Sequence, residues 1–368
     1  MRLWTLSALR CVAHVGAGTP CRSPLCVAST PPPALEGEEL REGALQCVAC
    51  GAAYPVVTGV AVLVRNPFRY FRGFYPFAKG YLADIGGMSK HFEVWLHTRM
   101  LGDLEDKKDK LFPRPQPYDE RAAHPLHKWL GTYLLTHYFP PLPSGDPTLD
   151  ALLDVCHQRG PVRLLGDMAQ RWAGTPELGL DMGCSVGGLS VRLAGFCRRV
   201  IGVDLSFEKI VTARRTVLRE PCAPEPLRIY HEGISYETVS LPEIAAEDVD
   251  FVVCSGSETP LDSATADVIT SCNLIDIVND PFELLAEKIR MLAAGGVLAM
   301  STPYLDHAAG VTKYLEAGTG DPRKIVLDHL PGFEILEERT KVPWLLRASD
   351  RHYDLYLDHC FVARRALS

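Results

Sequence analysis

Leu178 to Asp204 is the stretch that leaves this chain the fewest ways to fold. Leu178-Gly179-Leu180-Asp181-Met182 is a short apolar run carrying one acid, and Gly183-Cys184-Ser185-Val186-Gly187-Gly188 follows at once. An apolar run before clustered glycines reads as a buried strand, a tight turn and a helix start. The helical stretch Leu189 to Cys197 then gives way to a second apolar run, Val200-Ile201-Gly202-Val203, closed by Asp204. An acid closing the second strand after a glycine turn is the arrangement that holds ribose hydroxyls in nucleotide-binding α/β folds. Glycine lacks Cβ, so such a turn can take positive φ and let the backbone approach a ligand. Alternating apolar runs and helical stretches continue from about residue 118. We therefore expect a Rossmann-like α/β fold: a seven-stranded, mostly parallel sheet with helices on both faces.

The lettering of the turn discriminates between ligands. A dinucleotide site calls for G-x-G-x-x-G, with a pyrophosphate on the helix N-terminus. Here the string is Asp-x-Gly-x-Ser-x-Gly-Gly. It resembles motif I of the class I S-adenosylmethionine (SAM) methyltransferases, D-x-G-x-G-x-G, with Ser185 where the middle glycine usually stands. In that family the loop backbone meets the methionine part of SAM and the acid after strand two holds the ribose. The resemblance implies cofactor contacts from Asp181, Gly183, Cys184, Ser185 and Gly187, and from Asp204 and Leu205. The turn after strand three, usually Gly-Asp-Ala, is Cys254-Ser255-Gly256 here, so Ser255 or a neighbouring backbone group is expected near the adenine. Strand four, Ala266 to Ser271, leads into Asn273 and Asp276, which lie where ligands bind in such sheets. Asn273 either meets cofactor or substrate or caps the following turn.

At 368 residues the chain is long enough for an α/β domain and an appendage. A formal charge of −7 without a long Lys/Arg run advertises no nucleic-acid or anionic-membrane surface. No run approaches the ~18 apolar residues of a membrane span, and the brief apolar start is too short for a signal peptide. We expect a cytoplasmic chain without a disulfide framework.

Residues 1–66 read as a zinc-binding module, 67–117 as an aromatic and proline-rich linker, and 118–368 as the catalytic domain. Cys11-Val12-Ala13-His14 and Cys47-Val48-Ala49-Cys50 form two knuckles, each able to present two ligands to one tetrahedral zinc. Four protein ligands make a structural rather than a catalytic site. Tyr54 to Val64 should form a hairpin about Thr58-Gly59. The whole segment resembles the small zinc-binding domain that activates several tRNA and release-factor methyltransferases. His14 replaces the usual second cysteine, and Cys21 and Cys26 lie in the connecting loop. The ligands are thus Cys11, His14, Cys47 and Cys50, or a set in which Cys21 or Cys26 replaces His14. The aromatics of Phe68 to Phe77 are expected to pack this module onto the main domain, and Phe112 to Pro117 to form a stiff linker.

Four further segments narrow the substrate. Tyr133 to Tyr138, the insertion Leu227 to Asp248, Thr302-Pro303-Tyr304, and Pro343 to Arg347 occur in the order seen in the methyltransferase domain of ovothiol synthase, a 4-mercaptohistidine N-methyltransferase, which residues 118–365 resemble. The resemblance implies methyl transfer from SAM to a nitrogen or sulfur of a small, thiohistidine-like metabolite. His137, Tyr138, Tyr304 and Arg347 are then expected at the crevice mouth with Asn273, Arg347 pairing with an amino-acid carboxylate. An imidazole or thiolate acceptor calls for no dedicated base. The competing class is a macromolecule methyltransferase that docks its substrate through the zinc module.

Overall fold

The computed structural model describes residues 1–15, 18–72, 87–102, 125–218, 227–231, 235–240, 244, 246–304 and 320–367. Phe74, Tyr75, Phe77 and the segment Phe112 to Pro117 lie outside these residues, as does part of the insertion. Near the N-terminus, strands β1 (Leu25–Val27), β2 (Glu39–Cys47), β3 (Ala53–Val57) and β4 (Val60–Val62) pair antiparallel in succession. The turn between β3 and β4 places Thr58 and Gly59 at positive φ, which gives the expected hairpin.

Helices α1 (Lys90–Gly102), α2 (Pro125–Tyr138), α3 (Pro147–Arg159) and α4 (Pro161–Ala173) precede β5 (Leu178–Met182). Then come α5 (Gly188–Ala194), β6 (Arg199–Asp204), α6 (Phe207–Val217) and a small hairpin, β7 (Leu227–Tyr230) with β8 (Tyr236–Val239). The chain continues through β9 (Val249–Val253), β10 (Ala266–Cys272), α7 (Pro281–Met291), β11 (Leu292–Thr302) and α8 (Pro322–Asp328). It ends in the antiparallel pair β12 (Phe333–Ser349) and β13 (His352–Arg365). Three helices begin alike: Asp146, Asp280 and Asp321 each accept two backbone N–H groups ahead of a proline at the first position.

Strand order across the sheet is β12-β13-β11-β10-β5-β6-β9-β4-β3-β2-β1. The seven strands β5, β6 and β9 to β13 form the expected mostly parallel sheet, closed by the β12–β13 pair. The sheet does not stop at β9, because β4 adds to its edge in parallel and the N-terminal strands follow; with Ala34–Glu36, which pairs with β2 off this path, the sheet has twelve strands. Arg214 of α6, buried, pairs with both Asp250 of β9 and Glu39 of β2, while Thr5 donates to Asp250 at 2.6 Å. A buried cation with two carboxylate partners joins the two halves, since removing either partner would strand a charge. Phe71 packs edge-on against Phe207, with 5.2 Å between centroids, so the start of the aromatic stretch does dock on the main domain.

One apolar cluster fills the sheet face under α4, α5 and α6, and a second fills the opposite face under α7 and the N-terminal segment. Order reverses between β5 and β10, so the crevice for ligands opens at the carboxyl ends of these two strands.

Candidate functional site

The glycine loop lies at that reversal. Gly183 and Cys184 donate their N–H groups to Val203 O at 2.8 and 3.0 Å, which folds the loop back over β6. Gly183, Ser185 and Gly187 all have positive φ, at 75°, 50° and 89°. A left-handed serine is strained. Its N–H donates to Asp204 Oδ2 at 3.0 Å, and the Ser206 N–H donates to Oδ1 at 2.9 Å. Asp204 thereby holds the loop while each oxygen keeps a free lone pair. Ser185 Oγ is buried without a hydrogen-bond partner.

Asp181 plays a different part from the one its motif suggests. It is buried, and it accepts from Ser190 Oγ at 2.7 Å and Thr270 Oγ1 at 3.2 Å. Burial pushes its carboxyl up to about 6 despite these two hydroxyls. It ties β5, α5 and β10 together beneath the loop.

Other residues expected to meet the cofactor lie beside Asp204. Leu205 is exposed, and its carbonyl accepts from Tyr70 Oη at 2.5 Å, while that oxygen accepts from Phe207 N at 3.0 Å. The Cys254 N–H donates to Asp204 O at 3.1 Å, and Ser255 Oγ accepts from Ser257 N at 3.3 Å. Tyr70 was not singled out in the sequence; the only signal for it was its place in an aromatic run.

His137, Tyr138, Tyr304 and Arg347 each have a separate set of partners rather than one shared site. Tyr138 Oη donates to Val186 O at 2.6 Å, and His137 Nδ1 accepts from Gly188 N at 3.2 Å. Both brace the glycine loop from α2. Burial lowers His137 to about 4, with Lys209 adding to the effect, so Nδ1 is free to accept. A Cβ on Gly188 would sit 2.5 Å from that nitrogen, which is why glycine is required there. Tyr304 Oη lies 2.7 Å from His359 Nδ1, and His359 Nε2 lies 2.7 Å from Glu338, which Arg323 also binds. Arg347 pairs with Asp350 at the tip of the β12–β13 hairpin. Its register partner is Tyr353, so by strand alternation it points away from Tyr356 and Asp358. With His137 and His157 it lines a cavity of about 90 Å³ between α2, α3 and α4.

Asn273 does stand at the crevice, immediately after β10. Its φ is 49°, its Oδ1 accepts from Ser301 Oγ at 2.7 Å, and its Nδ2 is buried without a partner. Asp276 accepts from Thr302 Oγ1 at 2.9 and 2.8 Å. Asp358, overlooked in the sequence, is fully buried, and neither of its oxygens has a hydrogen-bond partner.

Residues 180–300 match the family described as "Methyltransferase domain". The chain carries a class I SAM-dependent methyltransferase domain. A ubiquinone biosynthesis O-methyltransferase of Thiobacillus denitrificans is 29% identical over 186 residues, covering 46% of this chain and 66% of that one. An uncharacterized methyltransferase of Mycobacterium leprae is 25% identical over 162 residues, covering 42% and 50%. The chain thus spans between half and two thirds of these relatives' length. Among solved structures, the N-methyltransferase NodS of Bradyrhizobium japonicum aligns over 57% of this chain and 96% of its own, with 14% identity and a TM-score of 0.38.

Beside the methyltransferase domain, four thiols meet. The sulfurs of Cys11, Cys21, Cys47 and Cys50 all lie within 4.8 Å of one another. Cys21 takes the place expected for His14, whose Nε2 instead pairs with Glu258. Cys26 is exposed and faces Gln46 O at 3.5 Å. The reason is local: the ribbon His14–Val15 with Thr19–Pro20 carries Cys21 back beside Cys11, where Cys21 N donates to Ala13 O at 2.8 Å and Arg22 N to Cys11 O at 3.0 Å. No helix among the described residues is long and apolar enough to cross a membrane.

Proposed function

We propose that this chain transfers a methyl group from SAM to a nitrogen or sulfur of a small, thiohistidine-like metabolite. The acceptor class rests on the resemblance of residues 118–365; the observation that carries the methyl-donor part of the reading is the left-handed glycine loop at the sheet's switch point, with Asp204 beneath it and Ser185 Oγ unpartnered within it. These residues fit the methyl donor: Asp204 keeps lone pairs for ribose hydroxyls, and the Ser185 hydroxyl needs a polar partner. The donor's sulfonium is already activated, so the protein's task is to orient the acceptor in line and exclude water. SAM added to purified protein with a metabolite extract should yield S-adenosylhomocysteine and a product heavier by one methyl group. No methylated product from any extract would reject the small-acceptor reading.

The four thiols fit a structural zinc. Sulfurs about 2.3 Å from a zinc ion stand about 3.8 Å apart in a tetrahedron, and here Cys11 to Cys50 is 3.6 Å and Cys21 to Cys47 is 3.7 Å. The ion would fix the two knuckles on the sheet edge and take no part in methyl transfer. A second reading, methylation of a macromolecule docked on this module, draws on the exposed knuckle, where Val48 and Cys50 face solvent. Transfer of labelled methyl to tRNA or protein, but not to small molecules, would favour it.

A further inference from the structure

We propose that Asp358, with Asn273 beside it, is the acceptor-binding and proton-accepting group of the methyl transfer, and that the acceptor is a nitrogen bearing an N–H. This rests on the methyltransferase reading above. Three buried polar groups among the described residues lack partners close to the switch point: Ser185 Oγ, Asn273 Nδ2 and the Asp358 carboxylate. Ser185 follows β5, Asn273 follows β10, and Asp358 stands one residue before His359, which pairs with Thr302 at the end of β11. A buried carboxylate without a hydrogen bond is costly and calls for a ligand that donates.

The surroundings leave that role open. Asp358 lies on the sheet face of Cys360 and Val362, the face that α4 and α5 cover and on which Asp181 meets Ser190. The groups that face it are Asp276, Cys272, Asn273 and Ser301, with Cys360 and Tyr356 on its own strand. None of these is a cation, and no ion pair to Asp358 is formed among the described residues. Asn273 and Ser301 approach closely enough to favour its charged form. Ser301 Oγ nevertheless donates to Asn273 Oδ1, leaving both carboxylate oxygens free. Burial, with Asp276 adding to it, pushes the carboxyl up to about 7. A carboxylate so placed takes up a proton readily near neutral pH.

An N–H azole suits this geometry. Its N–H donates to Asp358 while the second ring nitrogen directs its lone pair at the methyl carbon. As the new N–C bond forms, the methyl–sulfur bond breaks and its electron pair stays on sulfur, giving neutral S-adenosylhomocysteine. The N–H proton passes to Asp358, so the product leaves as a neutral N-methylazole and the sulfonium charge is balanced by the lost carboxylate charge. A thiolate acceptor would have no proton to give and would face an unscreened acid.

The test uses the full chain, SAM, and pyrazole and imidazole as probes, following S-adenosylhomocysteine release, with SAM affinity measured separately by calorimetry. Pyrazole stays neutral across the working pH range, so any limb in its profile belongs to the protein. Wild type should methylate pyrazole with kcat/KM rising through neutral pH. Asp358→Asn should lose about 100-fold or more in kcat/KM and lose that limb, while binding SAM as before and melting no lower than wild type. Asp358→Glu should restore part of the activity with its limb. The proposal is overturned if Asp358→Asn keeps its kcat/KM, if it loses SAM affinity in proportion, or if it melts lower, which would make the charge structural. It is also overturned if wild type binds SAM but neither binds nor methylates either azole. Failure of wild type to bind SAM at all would instead remove the methyltransferase reading beneath it.

Discussion

Replacing Asp181 with asparagine separates a scaffolding carboxylate from a ligand-binding one. Asp181 is 1% exposed, and its carboxyl is raised from 3.8 to about 6. The folded chain therefore holds this proton at pH values where the unfolded chain has lost it. The stability it lends is full below 3.8 and is lost as pH rises through about 6. A shift of about 2 pKa units corresponds to about 3 kcal/mol at neutral pH and about 1 kcal/mol near pH 4.5. Asp181→Asn removes this titration and keeps one of the two oxygens that Ser190 and Thr270 bind; the hydroxyl at the other accepts from the new amide, an exchange that does not depend on pH. Urea unfolding of both proteins at about pH 4.5 and about pH 7.5 gives the difference between them at each pH. That difference should move by about 2 kcal/mol in the variant's favour on going to the higher pH. Asp358, His137 and other displaced groups are common to both proteins and cancel. A constant difference would mean that folding leaves the carboxyl unshifted, and movement the other way that it is held as an anion; either would refute the scaffolding role.

Three other outcomes follow from the geometry. Gly188→Ala should lower the melting temperature and weaken SAM binding, because the new Cβ at 2.5 Å from His137 Nδ1 forces α2 off the loop, at about 1–3 kcal/mol; unchanged melting would show that α2 does not brace the loop. Metal analysis should find one zinc per wild-type chain, much less in Cys21→Ser, and full content in His14→Ala; loss in the histidine variant would restore the other ligand set. Stripping zinc with a chelator should lower the melting temperature of wild type, whereas an unchanged melt would leave the cluster without a structural role.

Most of the catalytic sheet could be read from the sequence because its signals are local. The strand from Leu178 to Met182 is a short apolar run, and the hairpin at Thr58-Gly59 announces itself by its turn. Long-range placements could not be read. Nothing local in Val60-Ala61-Val62 says that it will lie parallel to Val249–Val253, since a short apolar run does not specify its neighbour. Cys21 could not be preferred to His14 without the ribbon that turns it back towards Cys11. Arg347 and Asp358 sit in one long hairpin whose register, set by bulges at Arg339/Val342 and Arg347/Ser349, decides which face each takes. The family resemblance implies a place at the substrate for Tyr138 and His137, yet Tyr138 Oη and His137 Nδ1 are both turned to the loop backbone.

Calorimetric titration of the full chain with SAM, beside Asp204→Ala, tests the central claim most directly. Wild type should bind one SAM per chain, and the variant should bind more weakly by about 1–3 kcal/mol, the worth of a hydrogen bond to a charged group. No binding by wild type, or equal affinity in the two proteins, would contradict it.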